Sequence, residues 1–249
     1  EKNILASNVP TYGENTVAEF TFALILALAR KIYPAVKRVH EEGSFKAEGL
    51  TGFDLKGKTI GVIGTGHIGE HVVRMAYGFE MKILAFDANE KAQLKEKFGC
   101  EYVSLAKLLK SSDIVTLHLP YSESSHHLID SKRFELFKKG AVLINTARGG
   151  LIDTASLIKA LDDGTLAGAA LDVLEEEGYI KEEAQLLQKH PSERELMTVL
   201  ADHDLMKMDN VIVTPHTAFN TQEALERILD TTIENINAFI NGKPINLIS

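Results

Sequence analysis

A chain of 249 residues, 45% hydrophobic and 25% charged, is long enough for one large domain or two modest ones and has ordinary globular composition. Its net charge of -8 and pI near 5.6 argue against a nucleic-acid surface, which needs clustered Lys and Arg. Cys100 is the only cysteine, which excludes an intrachain disulfide and a Cys-based zinc site and fits a reducing cytoplasm.

The most apolar stretch, VAEFTFALILALA at 17–29, is shorter than the ~20 residues that span a bilayer and contains Glu19, so it reads as a buried helix. The chain does not begin with Met, and no basic-then-apolar leader precedes this stretch. It therefore reads as a fragment of a longer protein, without a signal peptide. Thr16 and Glu19 have capping-box spacing, which predicts one helix over about 16–42, kinked at Pro34. Its first half is apolar nearly all round and is expected to bury most faces, in part against another subunit. Residues 43–57 read as loop.

From Lys58 onward, short β-branched runs alternate with helical segments. KTIGVIG (58–64) precedes a helix over 67–78, and KILAFD (82–87) one over 90–98. DIVTLHLP (113–120) follows a helix at 104–110, AVLINT (141–146) follows SKRFELF, and LAGAALDV (166–173) follows a helix at 154–162. NVIVTP (210–215) precedes a last helix over 221–241, and the charged stretch from Glu175 to Asp209 reads as a helical excursion. This repetition predicts an α/β fold with a doubly wound parallel sheet of the Rossmann type.

GVIGTGHIGEHVVRMA places Gly64, Gly66 and Gly69 in GxGxxG spacing, after a strand and opening a helix. The first glycine permits the tight turn, the second a close approach of backbone to pyrophosphate, and the third close helix–strand packing. His67 and Ile68 then lie where helix N-terminal amides meet phosphate. The next strand ends in Asp87, placed to accept hydrogen bonds from the adenosine ribose diol. No Arg follows at 88–90 to receive a 2′-phosphate, so the expected cofactor is NAD and not NADP.

Ligands of an open α/β sheet sit outside the carboxyl ends of the strands. Those ends here offer Asp87, His118 with Pro120, Asn145 to Arg148, Asp172 with Glu177, and His216. His118, Pro120, Thr146 and Ala147 are placed on the cofactor side of this rim. Reducing a 2-oxo acid requires a cation for the carboxylate, a proton donor for the ketone oxygen and a group that tunes that donor. Arg148 suits the first by bidentate pairing, His216 the second, and a carboxylate such as Glu177 would favour the imidazolium. Gly149 and Gly150 are expected to leave the turn open, so that a ligand reaches Arg148. Taken singly, Arg148 is equally a salt-bridge anchor, His216 a loop residue, and the EEEGYIKEE acids a solvated face.

Three segments carry a resemblance to a known family: NTARGGLID, GAALDVLEEEG and NVIVTPHTAF are similar to the corresponding segments of D-isomer-specific 2-hydroxyacid dehydrogenases. The resemblance implies that Arg148 binds substrate, Asp172 contacts the nicotinamide carboxamide, and Glu177 pairs with the acid/base His216. NVPTYGENTVAEF and HTAF are most similar to the D-lactate dehydrogenase branch, which implies Tyr12 at the substrate and Phe219 lining a small apolar pocket. The implied activity is NAD-dependent interconversion of a small D-2-hydroxy acid and its 2-oxo acid, foremost D-lactate and pyruvate. D-2-hydroxyisocaproate or another 2-hydroxy acid is an alternative substrate, and an NAD-sensing, corepressor-like interaction protein is the alternative of a different class. The resemblance further implies a homodimer and a division into an NAD-binding domain over 13–219, with its dimer-forming helix near 16–42. Residues 1–12 and 220–249 would then be remnants of a substrate domain whose first part is absent.

Overall fold

Strands covered on both faces need no polar alternation, and the strand sequences TIGVI, IVTL and AVLIN obey that condition. In the computed structural model, which describes residues 4–178 and 192–248, the strands form one parallel sheet. They are β1 (Thr59–Ile63), β2 (Lys82–Phe86), β3 (Glu101–Tyr102), β4 (Ile114–Leu117), β5 (Ala141–Asn145), β6 (Leu166–Leu171) and β7 (Val211–Val213). Their order is β3-β2-β1-β4-β5-β6-β7, and each described pairing is parallel. The chain direction across the sheet reverses between β1 and β4, which opens a crevice outside the strands' carboxyl ends.

Alternating residues feed two cores. Ile60 and Val62 face α1 (Glu14–Ala29), α3 (His67–Gly78) and Leu94 of α4 (Ala92–Phe98). Ile63, Val115 and Leu117 face α5 (Leu105–Ser111), α6 (Ser131–Phe134), α7 (Thr154–Asp162) and Leu205 of α8 (Glu193–Leu205). The doubly wound α/β fold is thus as expected. The two-residue β3 is an addition, because so short a strand has no periodicity to read.

The first helix departs from expectation. Two helices replace one: α1 ends at Ala29 and α2 spans Ile32–Glu42, the break falling at Arg30 and at Lys31, whose φ of 53° is left-handed. Pro34 lies in the first turn of α2, where a missing N–H costs no helical hydrogen bond. Nor does Thr16 cap a helix. It lies inside α1, which begins after Gly13. The apolar character of α1 serves the chain's own sheet, Ala18, Ile25 and Ala29 being fully buried. The exposed apolar surface belongs instead to α2, where Ile32, Tyr33, Val36 and Val39 face outward.

Of the excursion after Glu175, the described part contains α8, capped by a reciprocal Ser192–Glu195 box; the rest of that expected helix lies outside the described residues. The last helix, α9 (Gln222–Ile240), buries Ala224 and exposes Leu225, Leu229, Ile233, Ile236 and Phe239. Beyond it the chain returns to its start, and Ser7 bridges Leu247 in antiparallel fashion. No helix of the described residues is long and apolar enough to cross a membrane.

Candidate active site

The glycine turn after β1 is built for close contact. Gly64 has φ +92°, and a Cβ there would stand 2.7 Å from the His118 carbonyl oxygen. A Cβ on Gly69 would lie 2.0 Å from the Gly64 carbonyl oxygen, so α3 rests directly on the turn. At Gly66 a Cβ would meet nothing within 4 Å. That opening lies at the amino end of α3, where His67 and Ile68 begin the first turn. A pyrophosphate fits such a cradle: exposed backbone, no side chain, and helix N-terminal amides.

Asp87 stands across from the turn. Its carboxylate accepts the Thr65 N–H at 2.6 Å, the Thr65 hydroxyl at 3.2 Å and the Asn89 N–H at 2.8 Å. Burial pulls its pKa up, but these donors prevail and hold the group below the usual carboxylate range. It is an anchored, ionised acceptor, as a ribose diol requires. Tyr102 completes the anchorage: its hydroxyl lies 2.8 Å from the Thr65 hydroxyl and accepts the Lys91 N–H at 3.1 Å. Nothing local in the sequence marks Thr65 or Tyr102 for this role.

The His118 side chain turns away from the glycine turn. Its Nε2 lies 2.9 Å from the Thr116 hydroxyl, while Nδ1 is shut off from solvent and has no hydrogen-bond partner among the described residues. Burial lowers its pKa to about 3, so the ring is neutral. What this residue offers the glycine turn is its backbone, against Gly64. Pro120, two residues on, is exposed.

At the end of β5, Asn145 fastens the following turn by donating to the Arg148 carbonyl at 2.9 Å and accepting the Ala147 N–H at 3.0 Å. Thr146 and Ala147 are buried, and the Thr146 hydroxyl is 2.9 Å from that of Thr21 in α1. This threonine side chain therefore ties a helix to the sheet. Arg148 is exposed. Its Nη1 donates to the Ala147 carbonyl at 2.6 Å, and among the described residues it makes no ion pair. Among the described residues the salt-bridge alternative thus has no carboxylate to support it.

The two glycines after Arg148 correct the expectation of an open turn. A Cβ on Gly149 would lie 2.0 Å from the Leu174 carbonyl oxygen, and one on Gly150 would lie 2.6 Å from the Tyr121 ring. The glycines are there because the turn is crowded. Bare backbone lets it press against Leu174–Glu175 and against Tyr121.

Asp172, only 1% exposed, follows β6 and collects the next loop. Its Oδ1 accepts the Thr214 hydroxyl at 2.6 Å and the Thr217 N–H at 3.0 Å, and its Oδ2 the Ala218 N–H at 2.8 Å. The loop so held presents His216, whose φ of 55° is left-handed, strained for this residue. His216 Nδ1 lies 2.8 Å from Glu177 Oε1, and both side chains keep 30% exposure. Tyr12 and Phe219 meet edge to face, ring centroids 6.0 Å apart. A cavity of about 770 Å³ follows the β7 edge and reaches Asp172, Glu177 and His216 but not Arg148.

A polar knot beneath Glu177 adds to the expected site. His127 Nε2 is 2.6 Å from Glu175 Oε1, and Glu175 Oε2 accepts the Thr154 hydroxyl at 2.9 Å. The fully buried Asp202 accepts the Glu176 N–H at 3.3 Å, and burial, reinforced by the charge of Glu175, raises its pKa to about 7. The EEE run is therefore not a solvated face: one glutamate is knotted to His127, and another is turned to His216.

A family model described as D-isomer specific 2-hydroxyacid dehydrogenase, NAD binding domain, matches residues 22–218. The chain belongs to this dehydrogenase family. It is 38% identical to a glyoxylate reductase of Thermococcus litoralis over 100% of this chain and 71% of that protein. It is 41% identical to D-lactate dehydrogenase kk1H of Curvularia clavata, over 96% of this chain and 66% of that protein. Among solved structures, D-lactate dehydrogenase from Aquifex aeolicus, complexed with NAD and lactic acid, superimposes with a TM-score of 0.86 at 37% identity, covering 99% of this chain and 74% of that one. The chain thus spans about two thirds of the length of such 2-hydroxyacid dehydrogenases, and NAD is the cofactor of the domain it contains.

Proposed function

We propose that this chain is the cofactor-binding and catalytic part of a dehydrogenase that interconverts a small D-2-hydroxy acid and its 2-oxo acid, foremost D-lactate and pyruvate. The observation that carries the reading is the 2.8 Å contact between His216 Nδ1 and Glu177, on a loop fastened by Asp172. Because Nδ1 is committed to the carboxylate, Nε2 is the nitrogen that exchanges a proton with a substrate oxygen. Bound NADH supplies the hydride for reduction, and NAD accepts it in oxidation.

In reduction, Arg148 pairs with the substrate carboxylate and polarises the adjacent ketone. His216 delivers its Nε2 proton to the ketone oxygen as charge develops there, and Glu177 stabilises the imidazolium beforehand. In oxidation the neutral imidazole takes the hydroxyl proton back. Asp172 holds the histidine loop; its buried carboxylate is also proposed to face the nicotinamide carboxamide. Gly64, Gly66, Gly69, His67 and Ile68 are assigned to the pyrophosphate, Asp87 to the ribose, and the backbone around His118, Pro120, Thr146 and Ala147 to the rest of the cofactor.

The edge-to-face pair of Tyr12 and Phe219 supports a small apolar substrate group. The similarity to both a glyoxylate reductase and a D-lactate dehydrogenase also favours a short acid. Residues 13–219 are assigned to the NAD-binding domain, and 1–12 with 220–249 to the substrate domain. The pairing of Ser7 with Leu247 and the apolar row on α9 favour that division. The outward apolar face of α2 favours a homodimer. A panel of glyoxylate, pyruvate and 2-oxoisocaproate with NADH, assayed on the intact protein, tests the substrate. Pyruvate is expected to give the highest kcat/KM. Preference for another acid displaces lactate, and NADH binding without turnover of any acid favours the cofactor-sensing alternative.

A further inference from the structure

The ribose site has cations at its edge, and both are taken. Lys91 Nζ donates to Glu70 Oε2 at 2.8 Å and stands 3.4 Å from the Gly66 carbonyl oxygen, on the glycine turn itself. Lys95 pairs with Glu90 at 2.5 Å and lies over the Tyr102 ring, 5.3 Å from its centroid. Glu70 sits in the first turn of α3, and Lys91 caps α4 with its N–H donated to Tyr102, the residue that also touches Thr65. The hydrogen bond from Lys91 holds the Glu70 carboxyl below its ordinary range, so it is ionised near neutral pH.

We propose that Glu70 is a specificity-determining residue: by occupying Lys91 it denies a cation to the 2′-phosphate of NADP and so reinforces the preference for NAD set by Asp87. This rests on reading Gly66 and Asp87 as the adenosine ribose site. A 2′-phosphate is accommodated where a free cation stands near the acidic residue. Here the phosphate would meet the carboxylates of Asp87 and Glu70, with Lys91 already neutralised. The pair is part-exposed, at 36% and 45%, which limits the effect to a modest factor.

Calorimetric titration of this chain with NADH and NADPH tests the assignment in the wild type, Glu70→Gln and Glu70→Gln with Lys91→Gln. The wild type should bind NADH more tightly. Glu70→Gln should tighten NADPH about fivefold while NADH stays within about twofold, and the double variant should lose that gain. An unchanged NADH/NADPH ratio in Glu70→Gln, or a gain that survives loss of Lys91, makes the pair a plain surface ion pair and overturns the proposal. Wild-type chain that binds neither dinucleotide instead overturns the ribose-site reading, and the role of Glu70 falls with it.

Discussion

His216 Nδ1 and Glu177 Oε1 stand 2.8 Å apart although 39 residues separate them in sequence. The contact exists because two independent anchors converge. Asp172 gathers the histidine loop, and the His127–Glu175 knot fixes the segment leading to Glu177.

Replacing His216 by Gln should lower kcat in both directions by about 10²-fold to 10⁴-fold, the usual worth of general acid–base catalysis, with NADH affinity unchanged. Glu177→Gln keeps the shape of the contact and removes its charge, so its loss of kcat should be smaller than that of His216→Gln. Steady-state kinetics together with NADH titration decide this. A Glu177→Gln variant with wild-type kcat removes the carboxylate from the mechanism.

Arg148 faces solvent, and no carboxylate among the described residues is paired to it, which suits the proposed role of holding a substrate carboxylate. Arg148→Lys keeps the charge and loses the bidentate geometry. It should raise KM for the 2-oxo acid by about tenfold or more and leave NADH binding as it is. If KM for the acid does not move, the guanidinium does not hold the substrate.

Gly149→Ala inserts a methyl group where the Leu174 carbonyl oxygen already lies. One of the two segments must yield, at a cost of about 1–3 kcal/mol, and the displaced one carries Arg148 or leads to Glu177. Thermal unfolding and kcat should therefore fall together. An alanine variant of wild-type stability and activity contradicts the crowded turn.

Asp202 gives a signed pH effect. Its pKa rises from 3.8 to about 7 on folding, chiefly through burial, so the folded state keeps a proton that the unfolded chain releases between those values. Stability is therefore lost as pH rises through that window, and Asp202→Asn is free of the loss. The melting temperature of Asp202→Asn relative to wild type should climb between pH 5 and pH 8 by roughly 2–4 °C for each 1 kcal/mol involved. Parallel pH curves for the two proteins remove Asp202 as the source.

Features written in consecutive residues are legible in the sequence itself. Gly64, Gly66 and Gly69 follow a strand and open a helix, and Asp87 closes the next strand, so local pattern alone marks the proposed cofactor cradle. The strand–helix alternation likewise places most elements to within a few residues. Features made by distant contacts are not legible in this way. Thr146 is spent on Thr21 and Glu175 finds His127, each a partner that no spacing announces. The break after α1 is hidden because Pro34 is the visible helix breaker, whereas a left-handed lysine performs the turn. The glycines after Arg148 are visible but ambiguous, since a missing side chain serves an open space and a tight contact equally well.

The close approach of Gly149 to Leu174 joins two segments of the proposed site: Arg148 precedes one side of that junction and Glu177 follows the other, so a change that displaces one segment presses on the other. Phe219, packed on Tyr12, follows directly on Ala218, whose N–H Asp172 holds, so rebuilding the aromatic pair also touches the loop that carries His216.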